Sequence, residues 1–324
     1  MTKKNIVVIG GGTGISSVVS GLKNEPVELT ALVSVADSGG STGRLRDEFG
    51  FQPVGDLRQS LAALAKEKSQ EWIRKLLLYR FEKGTGLNGH NLGNLILTAL
   101  QDMAGSTTSA LEVAEKIFQL NGKIYPVTSQ NVQLVVEYVD GSVVVGEHRL
   151  DDNGAGNKKI KRIRLSPRAK IYKKAEQSIL NADLIVIGPG DYYGSILAAL
   201  SVNGIKRCMH ATSAKIVYVV NLMTRFTQTY GMTARDHQRG IEEAIGRTCD
   251  LTIVNSKPIP AEILAMYVHE QEYPIVNDLA KGKYISADLL SSVRFTKVSS
   301  DLAHRSYLRH DAKKLAKVLM RVVK

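Results

Sequence analysis

Cysteine is nearly absent from this chain. Its 324 residues hold two, Cys208 and Cys249, far apart and outside any CxxC pair. That excludes a disulfide scaffold and a cysteine-rich zinc centre, and leaves a reduced, cytoplasmic protein as the expectation. Aromatic residues are also few, at 6% with a single Trp. No apolar run approaches the roughly 18 residues that a transmembrane helix needs. Lys3 and Lys4 precede only a short apolar run before the first glycines, too short for a signal-peptide core. The seven histidines are scattered and form no HExxH or comparable metal spacing. No Walker A sequence occurs. What is present, 44% hydrophobic and 23% charged residues, is an ordinary globular composition.

The formal net charge of +12 is unevenly spread. Residues 158–174 hold nine Lys/Arg and no acid, and residues 294–324 hold nine against two acids. The remainder is net acidic, so the excess belongs to two segments. Each reads equally as a solvated face or as an anion-binding surface. Nucleic-acid modules interleave aromatics with basic residues. Segment 158–174 offers only Tyr172, so nucleic acid is not an expected partner.

Residues 5–9 form an apolar run that ends in glycines, the pattern of a buried parallel strand. A helix is expected from about Gly14 to Lys23, then a strand over 28–35. Periodicity and composition predict helices over 57–67, 70–81 and 92–119, the last breaking near Gly105. Residues 124–150 alternate differently, with Asp140-Gly141 as a hairpin turn. This points to a small antiparallel insert that runs on through the basic segment, about 124–174. Strand–helix alternation resumes with strands 183–187, 215–220 and 251–254 and helices 191–202, 235–246 and 260–271. A last helix covers about 311–323. Repeated β-α units imply a mostly parallel, doubly wound sheet with helices on both faces, as one domain over residues 1–324.

The first strand runs into Gly10, Gly11, Gly12, Thr13 and Gly14 and then a helix. Glycines there let a backbone approach a pyrophosphate, and the helix N-terminus supplies N–H groups and positive dipole. The spacing is a poor match to the dinucleotide G-x-G-x-x-G, and a ligand-free tight turn is the alternative. Asp37 follows the second strand, where an acid accepts from a ribose hydroxyl or holds Mg²⁺ with phosphate oxygens. It opens Ser38, Gly39, Gly40, Ser41, Thr42, Gly43 and Arg44, a loop rich in donors, with Arg44 or Arg46 as a phosphate fork. Asp56 reads as a helix N-cap. His90, Asn91 and Asn94 stand at another helix start, as caps or as ligand donors. Gly188, Pro189 and Gly190 form a second glycine-rich turn after a strand. Two such turns suggest the two sides of a topological switch crevice, which Asn221 or Thr224 would also face.

Taken in order, these motifs are similar to those of the bacterial YvcK family, within the wider YvcK/CofD-like group. They are Gly10–Gly14, Val35–Arg46, Gly55-Asp56-Leu57-Arg58, Gly89–Asn94, Gly188–Gly190, Asn221–Thr224 and Arg309-His310-Asp311. The resemblance spans nearly the whole chain. It implies a three-layer α/β/α Rossmann-like fold. It also implies a UDP-sugar ligand, UDP-N-acetylglucosamine or UDP-glucose, and a regulatory role in gluconeogenic growth, cell shape and cell-wall synthesis. A protein partner in wall synthesis and a homo-oligomer go with that role. Under the same resemblance Arg309 would close over the phosphates. CofD itself is a 2-phospho-L-lactate transferase that uses a guanine nucleotide and Mg²⁺, which makes a Mg²⁺-dependent transferase the alternative. An NAD-dependent oxidoreductase would rest on the fold alone. The sequence departs from the family pattern at Asp191-Tyr192-Tyr193-Gly194 and at Arg225–Thr229.

Overall fold

Short β-branched runs closed by glycine pair as parallel strands because both of their faces can be buried. The structure, a computed structural model, describes residues 3–66, 71–151, 156–292 and 306–323. Its strands are β1 (Lys4–Gly10), β2 (Val27–Val33), β3 (Lys123–Pro126), β4 (Gln133–Tyr138), β5 (Val143–Val145), β6 (Ile160–Ser166), β7 (Leu184–Ile187), β8 (Lys215–Val219), β9 (Leu251–Asn255) and β10 (Tyr284–Ala287). Its helices are α1 (Gly12–Leu22), α2 (Gly40–Phe49), α3 (Gly55–Leu64), α4 (Glu71–Leu78), α5 (Leu92–Ala104), α6 (Thr107–Phe118), α7 (Lys173–Leu180), α8 (Ala198–Leu200), α9 (Ile205–Ala211), α10 (Ala234–Ile245), α11 (Ala261–His269) and α12 (Ala312–Val323). None of them is long and apolar enough to cross a membrane.

Seven strands form one parallel sheet in the order β10-β9-β8-β7-β1-β2-β3. The chain winds outward from β1 to β3, then returns to β7 beside β1 and winds the other way. That is the Rossmann order, with its switch point between β1 and β7. Right-handed crossovers in opposite directions place helices on opposite faces, so the fold is three-layered. On one of them α1 packs against α3 and α12. The two central strands, Ile6–Ile9 and Leu184–Ile187, are buried throughout. Each such side chain contributes about 1.5–3 kcal/mol of burial free energy.

A second, antiparallel sheet has the order β5-β4-β6. Its hairpin turns at Asp140-Gly141 as expected, with Gly141 at φ +83° and Asp140 Oδ1 accepting from the Ser142 N–H at 2.9 Å. Two features differ from the sequence expectation. Lys123–Pro126 is the edge strand of the large sheet, paired with β2, so the small sheet begins only at Gln133. The basic segment supplies β6. Four of its nine charges are met: Lys161 and Arg162 pair with Glu137, Lys158 with Asp140 and Lys174 with Glu112.

Candidate functional site

At the switch point β1 and β7 separate the turns that follow them, and a crevice opens at their C-terminal ends. Its volume is ≈ 710 Å³. The Gly11–Gly14 turn forms one side and Pro189-Gly190 the other. They touch: a Cβ on Gly14 would overlap the Pro189 carbonyl, so only glycine fits there. Gly12 sits at φ +60°, a left-handed conformation that favours glycine. Helix α1 starts on Gly11 with no capping side chain.

Helix α2 starts in the same way, on Gly39 and again without a capping side chain. The donor-rich stretch read as a loop is therefore this helix's first turn. Gly39, Gly40, Ser41, Thr42 and Arg44 line the crevice. Two helix N-termini thus converge on one cavity, and each brings N–H groups without an intrahelical acceptor. Asp37 Oδ1 accepts from the Gly39 N–H at 3.0 Å and fixes the approach to the second.

A buried polar network holds that turn. Asn94 Nδ2 donates to Ser41 Oγ at 3.2 Å and to Thr42 Oγ1 at 3.3 Å. Asn94 Oδ1 accepts from the buried Arg58 at 2.8 Å, and Arg58 Nη1 also donates to the Leu77 carbonyl. Asn91 is the cap of α5, its side chain accepting from the Asn94 N–H. His90 stands 3.3 Å from Ser41 Oγ. Burial, then the Arg44 charge, lowers the His90 pKa below the usual imidazole range.

Of the residues singled out from sequence, Gly11, Gly12, Thr13, Gly14, Asp37, Gly39, Gly40, Ser41, Thr42, Arg44, Asn94, Pro189, Gly190, Asn221 and Arg309 line the crevice. Gly10, Ser38, His90, Asn91 and Gly188 do not; they stand behind its wall. Asn221 grips the second turn, accepting from the Gly190 N–H and donating to its carbonyl, both at 2.8 Å. Ser38 acts as a clasp. Its Oγ lies 2.8 Å from His148 Nδ1 and accepts from the His148 N–H at 3.1 Å, which ties the turn Glu147–Asp151 after β5 to the crevice.

Asp56 corrects the sequence reading. The cap position of α3 is Val54. The Asp56 carboxylate accepts from Ser195 Oγ at 3.2 Å and lies so close to Gly11 that a Cβ there would overlap it. It is thus an acid on the crevice, as Asp37 is. Asp191 is a cap, accepting from the Gly194 N–H at 2.8 Å, and it also accepts from Gln228 at 3.2 Å. The two stretches that depart from the family pattern therefore bond to each other. Arg80, Glu147, His148 and Glu272 line the crevice too, and no local motif marks them. Among the described residues no group of three or more His, Cys, Asp or Glu side chains could hold a metal by itself.

The geometry has its counterparts. The profile of the family described as "2-phospho-L-lactate transferase CofD" matches residues 6–292. The chain is 38% identical to the gluconeogenesis factor of Halalkalibacterium halodurans, over 99% of this chain and 97% of that one. It is likewise 38% identical to the gluconeogenesis factor of Bacillus subtilis, over 99% of each. A crystal structure of a UPF0052 family member from Bacillus halodurans superposes with a TM-score of 0.87 at 36% identity, covering 99% of both chains.

Proposed function

The chain belongs to the CofD family and, within it, to the group of bacterial gluconeogenesis factors; from that premise we propose that it is a nucleotide-sugar-binding regulatory factor. One observation carries the reading. Two uncapped helix N-termini and a second glycine turn converge on a cavity far larger than a phosphate group. A diphosphate would lie on Gly11–Gly14, between the starts of α1 and α2. Asp37 would accept from a ribose hydroxyl. Arg309, on the far wall, would close over the phosphates, and the sugar would occupy the wider end. UDP-N-acetylglucosamine and UDP-glucose are the candidate ligands. Such a factor would work in the cytoplasm, as a homo-oligomer, reporting nucleotide-sugar supply to a protein partner in cell-wall synthesis during gluconeogenic growth.

A second reading has its own observation, the two carboxylates Asp37 and Asp56 on one cavity. Mg²⁺ commonly takes one or two carboxylates and completes its shell with substrate phosphates, so the pair fits a Mg²⁺ of the kind a CofD-type transferase uses. When bound, such an ion neutralises charge developing on the leaving phosphate. The chain's own residues would orient the nucleotide and exclude water.

Calorimetry with UDP-N-acetylglucosamine, UDP-glucose, GDP and NAD, each with and without Mg²⁺, separates the readings. The expected result is saturable binding of a UDP-sugar, independent of Mg²⁺ and weakened at least about a hundredfold by Gly12→Glu, which sets a carboxylate and backbone strain where the diphosphate sits. Mg²⁺-dependent binding and turnover of GDP would install the transferase instead.

A further inference from the structure

A second cavity, of ≈ 510 Å³, lies away from the crevice. Helix α2 forms one wall and a face of the small sheet forms the other. The antiparallel register defines that face. Gln133 pairs with Ser166, and Val135 pairs with both Arg164 and Val145. Directly paired residues point to the same side of a sheet, as do alternate residues along a strand, so these five share one face. All five line the cavity, with Arg46 and Asp47 from α2 opposite them.

The polar groups there are unbalanced. The Arg46 side chain is only 10% exposed. Its Nε and Nη2 donate to Asp47 Oδ1 at 3.0 and 2.8 Å, while its Nη1 is buried with no acceptor. A guanidinium carries five N–H donors, and a buried donor left unmet is costly. Across the groove, the Arg164 guanidinium has no ion pair or hydrogen bond among the described residues. Its neighbours Lys158, Lys161 and Arg162 have acidic partners, whereas Arg164 faces the groove. The lining holds one acid, Asp47, which is mostly exposed and already engaged by Arg46. Two guanidiniums therefore face one carboxylate.

We propose that this groove is a binding site for a small phosphate ester. Arg46 Nη1 and the Arg164 fork would take phosphate oxygens, the geometry for which guanidinium is suited. Gln133 and Ser166 add neutral donors, and Val132, Val135, Val145 and Pro167 offer an apolar wall to a short carbon skeleton. The volume exceeds that of a bare phosphate and suits an ester of a few carbons. The placement gives the site an effector role. Helix α2 lines the crevice with Gly40–Thr42 and the groove with Arg46. An anion bridging Arg46 on α2 and Arg164 on β6 ties the small sheet to that helix. The small sheet in turn carries the turn clasped to Ser38. Occupancy of the groove thus tightens the wall of the crevice. Only this coupling rests on the nucleotide-sugar reading; the anion site stands on its own observations.

The test titrates the full chain with glycerol 3-phosphate, with inorganic phosphate and, as the carboxylate control, with acetate, all without nucleotide. Two classes of phosphate site are expected, one lost in Gly12→Glu and the other lost in Arg164→Gln. Val145→Glu sets a carboxylate into the groove at a position that is 41% exposed, so it repeats the loss of the second class without disturbing Arg46. Affinity for glycerol 3-phosphate should fall about tenfold or more in both groove variants. Phosphate binding that is unchanged in both and vanishes wholly with Gly12→Glu overturns the site, as does acetate binding as tightly as the ester. Glycerol 3-phosphate at a concentration that fills only the groove class should tighten UDP-N-acetylglucosamine binding about threefold or more in the wild type and not in Arg164→Gln; an unchanged affinity overturns the effector role. A chain that binds the ester in the groove but no UDP-sugar would refute the crevice reading and leave the anion site standing.

Discussion

The two sheets solve different problems with similar residues. The parallel sheet buries both faces of its central strands, and Ile6–Ile9 and Leu184–Ile187 have no contact with water to lose. The antiparallel sheet buries Leu134, Val136 and Tyr138 on one face, while Val143 and Val145 on the other stay exposed. The first is a rigid frame, and both glycine turns grow directly from its strand ends. The second packs its buried face onto the frame's core, and the Ser38–His148 clasp ties the turn after β5 to the crevice. Phosphate recognition needs fixed backbone N–H groups, so it sits on the frame. A wall that adjusts to a sugar or an effector needs low local stability, so it sits on the small sheet.

The largest expected effect breaks the frame. Ile185 is fully buried in β7, beside the switch point. Ile185→Ala should cost about 2–5 kcal/mol of unfolding free energy through lost burial and a cavity. Val143→Ala on the exposed face of the small sheet should stay within about 0.5 kcal/mol. Urea denaturation of the two variants measures the contrast. Equal losses would mean that the outer face of the small sheet is as much a part of the core as β7, and the comparison would fail.

The five inner strands of the frame were legible in the sequence, its two edge strands β3 and β10 were not, and the reason is physical. A strand buried on both faces reads as an unbroken apolar run, and the close approach to Pro189 demands the glycine at Gly14 in the turn after β1. Both turns and the switch crevice follow from that pattern alone. Helix α2 was not legible. Gly39, Gly40, Ser41, Thr42 and Gly43 are poor helix formers, and this turn is held by Asn94 from α5, a contact that no local rule shows. Strand β6 was hidden because its exposed positions are all basic, so its alternation reads as a charge run. Asp56 failed for another reason. An acid at a helix start caps or faces a ligand with the same local sequence, and only the position of Gly11 decides between them.

A middle-sized effect comes with pH and again separates the two regions. Burial pushes the His310 imidazole down to about 4, and burial also lowers His237. Both lie in the half of the molecule built on the parallel sheet: His310 bonds Val220, just past β8, and His237 is in α10. In the unfolded chain a histidine takes its proton near 6.5. Below that value the unfolded state binds more protons than the native state, so stability falls as pH falls. The loss from His310 should be about 1 kcal/mol per pH unit between pH 6.5 and about 4. It should flatten above pH 6.5, where both states are neutral. Urea midpoints at pH 7, 6 and 5 should show the decline, and His310→Gln should reduce its slope. A decline of the same slope in that variant would assign the protons elsewhere.

The smallest effect is the most discriminating, because it should leave the frame untouched. Ser38→Ala removes both bonds to His148, the Nδ1 contact at 2.8 Å and the N–H donation at 3.1 Å. Two such bonds across a partly buried contact are worth about 1 kcal/mol each at most. Global unfolding should therefore change little beside the loss expected of Ile185→Ala. Hydrogen exchange should register the change where denaturation does not. Amides of β4 and β6 should exchange about fivefold faster or more, while those of β1 and β7 keep their wild-type rates. Affinity in the crevice should weaken mainly through faster dissociation, because an unclasped wall releases the ligand sooner without altering the turns that meet it first. Faster exchange in β1 as well would show that Ser38 supports the frame itself, and the division between a fixed phosphate site and an adjustable wall would have to be redrawn.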